Sequence, residues 1–314
     1  MNVLNECQVA ERLDWPDLIE AVRQAFVDGV VAPGRSAHAV AVPGEDDLSL
    51  LLMPSWQVGA KIVVKLATVA PGNTLRGLPT IHGLIALLDA RTGVIECLMD
   101  AGEVTARRTA AASALAADLI CRPDVDSLLV VGAGRVARNL VHAHRAVRAY
   151  RSITVWARDT QKAEGFAREL DAEGVVVHVA GDLAAECART DVIACATMAT
   201  APVVRGEWLA PGTYLDLVGA FRPGMREVDD AALVRARGAI YVDTHEGAMD
   251  EAGDLLQAIE SGAIAESDIA VDLATLCRTG RPASREADIT VFKSVGTALE
   301  DYAGARLAAG ARMS

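Results

Sequence analysis

The apolar run Leu128-Leu129-Val130-Val131 breaks directly into Gly132-Ala133-Gly134-Arg135-Val136-Ala137, and this junction constrains the chain more than any other segment. It describes a strand, a glycine turn and the opening of a helix. Gly132 permits the tight turn. Gly134 lets the backbone approach a pyrophosphate with no Cβ in the way, and Ala137 is small enough for close helix–strand packing. The helix start then offers N–H groups and a positive dipole end to an anion. A glycine turn alone is common in α/β proteins, but here a second strand, 152–157, follows one βαβ unit later. Gly132, Ala133, Gly134, Arg135, Val136 and Ala137 are therefore expected to hold a dinucleotide.

The surrounding pattern extends this unit. From 127 onward strands and helices alternate: strand 127–132, helix 135–149, strand 152–157, helix 160–172, then strands near 175–178, 191–195, 213–218 and 239–242. Such alternation predicts a doubly wound parallel sheet. The N-terminal part reads as short strands at 38–43, 48–53, 60–69, 80–88 and 94–100, followed by an alanine-rich helix at 103–119. Asp89-Ala90-Arg91-Thr92-Gly93 is a hairpin turn that makes the last two strands antiparallel. A final helix, 292–309, lies outside the alternation and is expected to return to the N-terminal part. The expected fold class is α/β, a Rossmann doubly wound parallel sheet domain plus an α+β, mostly antiparallel domain. The expected division is 1–120 with 290–314 for the antiparallel domain, and 121–289 for the Rossmann domain.

Composition narrows the function classes. A net charge of −12 over 314 residues, with no offsetting basic run, argues against a nucleic-acid surface. No apolar stretch approaches bilayer length, and Asn2, Glu6 and Glu11 do not make a signal peptide, so no membrane partner is expected. The six cysteines lack C-x-x-C spacing and read as reduced, mostly buried thiols of a cytoplasmic protein. The six histidines show no metal-ligand spacing, so no metal is expected.

The end of the second strand bears on which dinucleotide binds. An NAD-specific site usually places Asp or Glu there to accept from the ribose 2′-OH. Here Ala157 takes the acid's place and Arg158 follows, and an arginine can pair with a 2′-phosphate. Arg135 offers a second contact. NADPH is the expected cofactor and NADH the alternative, with Asp159 then serving as the ribose acid.

Three cations stand out at the substrate end. Lys65 lies in an apolar strand on the same face as Val63 and Ala67, where a charge is costly unless it faces a cleft or a partner. Arg108 lies on a helix whose neighbours are nearly all alanine, and Arg35 follows Pro33-Gly34. Converging on one pocket, they would bind a carboxylate and polarise an imine or carbonyl. Taken singly, each reads more simply as a surface salt-bridge residue.

The segments Lys65 to Asn73 (KLATVAPGN), Thr105 to Ser113 (TARRTAAAS), Val131 to Ala137 (VGAGRVA) and Thr290 to Gly296 (TVFKSVG) resemble the ornithine cyclodeaminase/mu-crystallin family in order and spacing along nearly the whole chain. The resemblance implies a homodimer built through the antiparallel domain, with the active site between that domain and the Rossmann domain. It also implies that Arg35, Lys65 and Arg108 bind substrate, the arginines holding its carboxylate, with Lys65 as the catalytic residue near the reacting nitrogen. Cyclodeaminases of the family carry an aspartate in a V-G-G-D-x-P-G pattern. The matching segment here, Val218-Gly219-Ala220-Phe221-Arg222-Pro223-Gly224, has Phe221 in that place. A phenyl ring neither accepts a proton nor pairs with an ammonium group. The string G-A-F-R-P-G-M-R-E instead resembles the family's Δ1-pyrroline-2-carboxylate and cyclic ketimine reductases.

The resemblance thus implies an NAD(P)H-dependent oxidoreductase acting on the C=N bond of a cyclic imino acid. It would form L-proline from Δ1-pyrroline-2-carboxylate, or L-pipecolate from Δ1-piperideine-2-carboxylate. Val218, Gly219 and Phe221 are expected to line the nicotinamide and ring pocket, with Thr197 and Lys293 as further cofactor contacts. The alternatives are an ornithine cyclodeaminase, an alanine-type amino-acid dehydrogenase, and a non-catalytic NADPH-binding protein like mu-crystallin.

Overall fold

The computed structural model describes residues 1–280 and 288–310; the parts of the expected domains at 281–287 and 311–314 lie outside the described residues. The chain opens with β1 (Asn2–Leu4), α1 (Glu6–Arg12), α2 (Trp15–Val27), β2 (Ser36–Val40), β3 (Leu48–Trp56), β4 (Lys61–Val69), β5 (Ile81–Asp89), β6 (Ile95–Asp100) and α3 (Ala101–Ile120). It continues with β7 (Ser127–Val131), α4 (Arg135–Val147), β8 (Ser152–Trp156), α5 (Thr160–Ala172), β9 (His178–Val179), α6 (Leu183–Cys187) and β10 (Val192–Cys195). Then come β11 (Tyr214–Leu217), α7 (Asp230–Arg235), β12 (Ile240–Val242), α8 (His245–Glu251) and α9 (Gly253–Glu260). The last elements are β13 (Ile269–Asp272), α10 (Leu273–Thr279), β14 (Thr290–Lys293) and α11 (Ala298–Ala308). These elements form two compact units, Met1–Arg108 with Thr297–Ser314, and Thr109–Gly296.

In the first unit the strands order as β1-β6-β5-β4-β3-β2, antiparallel apart from the β1–β6 pair. The hairpin between β5 and β6 is fixed by Asp89, whose Oδ1 accepts from Arg91 N, Thr92 N and Thr92 Oγ1 at 2.9–3.0 Å. Strand alternation gives the sheet two unlike faces. Met53, Val63, Lys65, Ala67, Ile85 and Leu87 point to the buried face, where α11 packs on α2 and over β3 and β4. The opposite face carries the cross-strand rows Leu52–Leu66–Leu84 and Pro54–Val64–Ala86, half-exposed except for the more exposed Leu84. β1 lay outside the expected strands because three residues cannot display a period.

In the second unit eight strands among the described residues pair entirely in parallel, in the order β13-β12-β14-β11-β10-β7-β8-β9. Leu129, Val131, Ile193, Cys195, Leu215, Leu217 and Val291 are buried in its core. Their near-continuous apolar runs are what a sheet covered on both faces requires. The strand order reverses between β7 and β10, and ligands of such sheets bind outside the carboxyl ends at that reversal.

Three expectations are corrected. β14 pairs between β11 and β12, so the parallel sheet runs past the expected boundary at 289. The final helix therefore starts at Ala298 rather than 292, because Val291-Phe292-Lys293 is a buried central strand whose apolar run also fits a helix face. The alanine-rich helix does not belong to one domain: the division between units falls within α3, after Arg108. Among the described residues no helix is long and apolar enough to cross a membrane.

Candidate active site

In the parallel unit the glycine loop stands at the strand-order reversal. Gly132 N donates to Trp156 O at 2.8 Å, and Ala196 N donates to Val131 O at 2.9 Å, so the ends of β7, β8 and β10 are laced together. Gly132 has φ +126°, and a Cβ there would stand 2.6 Å from Ala196 O, which makes glycine obligatory. Gly134 is the exposed N-cap of α4, with open space where a Cβ would stand. No side chain caps α4, whereas Asp159 and Asp182 cap α5 and α6. An uncapped helix start behind an open glycine fits the pyrophosphate of a dinucleotide. Ala133 and Val136 are half-buried, Arg135 is exposed, and Ala137 is buried behind the loop.

Beyond β8, Ala157 is half-buried and Arg158 exposed. Asp159 is already engaged: its Oδ1 accepts from Gln161 N at 3.0 Å and Lys162 N at 3.4 Å. Such a cap contributes about 1 kcal/mol and directs the carboxylate into its own helix. Arg158 stands exposed beside it at the strand end.

At the ends of β10 and β11, Thr197 is half-buried and Val218 and Gly219 are buried. Val218 N donates to Cys195 O at 2.9 Å. Phe221 is half-buried, with the Arg222 guanidinium 5.8 Å from its ring centroid. Lys293 departs from expectation. Its side chain is fully buried and its Nζ lies 3.1 Å from Asp254 Oδ2, so it holds the fold together rather than touching a cofactor. Lys293 ends the buried strand β14. Glu227, which sequence reasoning passed over as a site residue, accepts from Thr197 N at 2.6 Å and from Gly219 N at 2.7 Å.

The antiparallel unit gathers the three cations and adds two acids that were not expected. Lys65 Nζ is 2.6 Å from Asp301 Oδ2, and Arg108 Nε donates to Asp301 Oδ1 at 2.8 Å. A second Arg108 nitrogen pairs with Glu300. All four side chains are buried. Burial pushes the Lys65 ammonium down, Asp301 pulls it back up, and the Arg108 and Arg35 charges push it down again, leaving it at about 8. Burial also works against the Arg108 charge, but Asp301 and Glu300 outweigh it and hold Arg108 above its usual value. Asp301 stays below the usual carboxylate range, because Arg108 and Lys65 overcome the effect of its burial. Lys65 and Arg108 are thus matched by Asp301 and Glu300, and the Arg35 charge acts on the same lysine.

Asp301 and Glu300 sit in the first turn of a helix that is otherwise alanine-rich and buried. Acids there read most simply as partners of the helix dipole. The available signal was two consecutive acids within a segment too apolar to be a solvated face.

A parallel sheet reversing beside an open glycine loop defines a dinucleotide-binding protein of Rossmann type. The model of the ornithine cyclodeaminase/mu-crystallin family matches residues 1–310. The chain belongs to that family. It is 39% identical over 289 residues to a Δ1-pyrroline-2-carboxylate reductase of Paracoccus denitrificans, covering 91% of this chain and 89% of the relative. It is 33% identical over 280 residues to the ketimine reductase mu-crystallin of Mus musculus, covering 89% and 84% of the two. Among solved structures, Thermococcus litoralis Δ1-pyrroline-2-carboxylate reductase in complex with NADH and L-proline superposes with a TM-score of 0.91. That match has 30% identity and covers 99% of this chain and 97% of the other.

Proposed function

We propose that this protein is an NAD(P)H-dependent reductase of cyclic imino acids, forming L-proline from Δ1-pyrroline-2-carboxylate, L-pipecolate from Δ1-piperideine-2-carboxylate, or both. The buried Lys65–Asp301–Arg108 cluster, two cations meeting on one carboxylate with the Arg35 charge acting on the same lysine, is the observation that carries this reading. Arg108 and Arg35 bind the substrate carboxylate, with Arg108 held rigid by Asp301 and Glu300. Lys65, protonated at neutral pH, keeps the ring nitrogen protonated and supplies the proton that remains on the product amine. The glycine loop and the start of α4 hold the dinucleotide pyrophosphate, with Thr197, Val218 and Gly219 toward the nicotinamide end. A bound reduced nicotinamide supplies the hydride to the imine carbon. Phe221 gives an apolar wall to the ring and offers no carboxylate for the amine that a cyclodeaminase must oxidise. The relatives named as reductases support the same direction. With ornithine and NAD⁺ the protein is expected to release no ammonia above background; robust release would restore the cyclodeaminase reading.

NADPH is the preferred cofactor in this reading, because Arg158 is exposed at the strand end while Asp159 caps its own helix through Oδ1. Arg158→Ala should weaken NADPH about tenfold, the effect of one exposed charged hydrogen-bonding partner, and leave NADH within about twofold. Equal losses for both cofactors, read by fluorescence titration, would remove Arg158 from the 2′-phosphate site.

The chain also works as a homodimer joined through the antiparallel sheet, on the half-exposed apolar rows around Leu66 and Leu84. A face of this kind is an association surface. Light scattering should give twice the chain mass, and Leu66→Asp should halve it; a monomeric wild type contradicts this assembly. The free thiols of Cys7, Cys97, Cys187 and Cys195 suit a cytoplasmic location.

A further inference from the structure

We propose that Glu227 is a positioning residue for the dinucleotide, its ionised carboxylate clamping the loop after β10 to the loop after β11. The inference rests on the reading above only in requiring a nicotinamide cofactor at these strand ends. Oε1 accepts from Thr197 N at 2.6 Å and Thr197 Oγ1 at 2.8 Å, and Oε2 accepts from Gly219 N at 2.7 Å. One carboxylate therefore takes three donors from two separate loops. The approach is close: a Cβ on Gly219 would overlap the Thr197 carbonyl oxygen and the Glu227 carboxylate.

Glu227 is itself held on both sides. Its N donates to Asp254 Oδ1 at 2.7 Å, and its carbonyl accepts from Val203 N and Val204 N at 2.8 and 3.0 Å. Its carboxylate is fully buried, so it acts through the two loops. Those loops end β10, which borders the strand-order reversal, and its neighbour β11. Thr197 and Gly219 are the residues placed against the nicotinamide end, and Glu227 fixes their backbones relative to one another.

The charge on Glu227 matters because charge-assisted hydrogen bonds are roughly twice as strong as neutral ones. The groups facing it are Asp254 on α9, Lys293 on β14 and the Cys195 thiol on β10, with Asp216 on β11 facing Cys195 and Asp243 beyond β12 facing Lys293. Burial pushes the Glu227 carboxyl up, Lys293 pulls it down, Asp254 pushes it up and the Thr197 donors pull it down, leaving it at about 7. The clamp is thus ionised above neutrality. Protonation as the pH falls weakens three hydrogen bonds at once and loosens both loops.

The test is NADH binding, read by nucleotide fluorescence without imino acid, between about pH 6 and 8.5. NADH is chosen because it lacks the 2′-phosphate, which titrates near about 6 and would confuse the profile. The wild type should bind with constant Kd above about pH 7.5 and weaken three- to tenfold, roughly the loss of charge assistance in these bonds, by pH 6. Glu227→Gln should bind at least about fivefold more weakly at pH 8 and show no pH dependence, for the same reason. Thr197→Val removes one donor to the ionised form, which raises the carboxyl pKa and moves the bend to higher pH. A pH-independent wild-type Kd, a bend retained in Glu227→Gln, or an unshifted bend in Thr197→Val overturns the inference. If Glu227→Gln does not fold, the Thr197→Val profile still decides. Absence of any NADH binding by the folded wild type would instead overturn the dinucleotide reading itself.

Discussion

Arg108→Ala is expected to lower kcat/KM for a cyclic ketimine by at least about a hundredfold. A hydrogen bond to a charged group contributes about 1.5–3 kcal/mol, and a guanidinium holding a carboxylate through its fork loses two of them. Each 1.36 kcal/mol is about a factor of ten in rate. The same change should destabilise the fold by about 3–5 kcal/mol, because Asp301 and Glu300 stay buried without their shared cation. Activity must therefore be measured on protein shown by thermal melting to be folded. Arg108→Lys separates the two effects, since it returns a charge to the acids without the planar fork. A folded Arg108→Ala protein with near-normal kcat/KM would take Arg108 out of the substrate site and leave it a purely structural partner of α11.

The second large effect concerns Lys65. Its ammonium, pushed down to about 8, is protonated below that value and lost above it. With the dinucleotide saturating, kcat/KM for the imino acid should fall above about pH 8, approaching tenfold per pH unit. Lys65→Met should lower kcat/KM by about 10²–10⁴, the range for a positioned proton donor, and abolish that falling limb. This variant is the more tolerant one structurally: it removes a buried charge and leaves Asp301 still paired with Arg108. If Lys65→Met keeps the wild-type limb, another group supplies the proton.

Much of this arrangement was legible in the sequence, for reasons tied to period and to turn chemistry. The run 128–137 announces a strand, a turn and a helix because each has a local signature, and the structure puts β7, Gly132 and α4 there. Lys65 was readable because strand alternation is strict, so a lysine in register with Val63 and Ala67 must share their buried face. The partners of these residues were harder to see. Asp301 meets Lys65 and Arg108 across long stretches of chain, and no local pattern records such a pairing. Glu227 lies outside any regular element, so it has no period to betray its burial. Lys293 was expected at the cofactor, whereas it ends a strand buried at the centre of the sheet.

The pattern of misses is physical. Apolar periodicity shows which face is buried, but the partners of a buried charge are set by tertiary packing. Each misjudged site residue was such a charge or its counter-ion. Phe221 is the opposite case, a residue informative for what it is not. Its identity was read directly from the chain, and it stands half-buried after β11.

The central claim is that the protein reduces a cyclic imine, and the most direct measurement follows NADPH fluorescence on adding Δ1-pyrroline-2-carboxylate made from D-proline by an amino-acid oxidase. The reductase reading predicts enzyme-dependent loss of NADPH matched mole for mole by L-proline on chiral analysis. Unchanged NADPH at saturating ketimine, with cofactor binding intact, would contradict it.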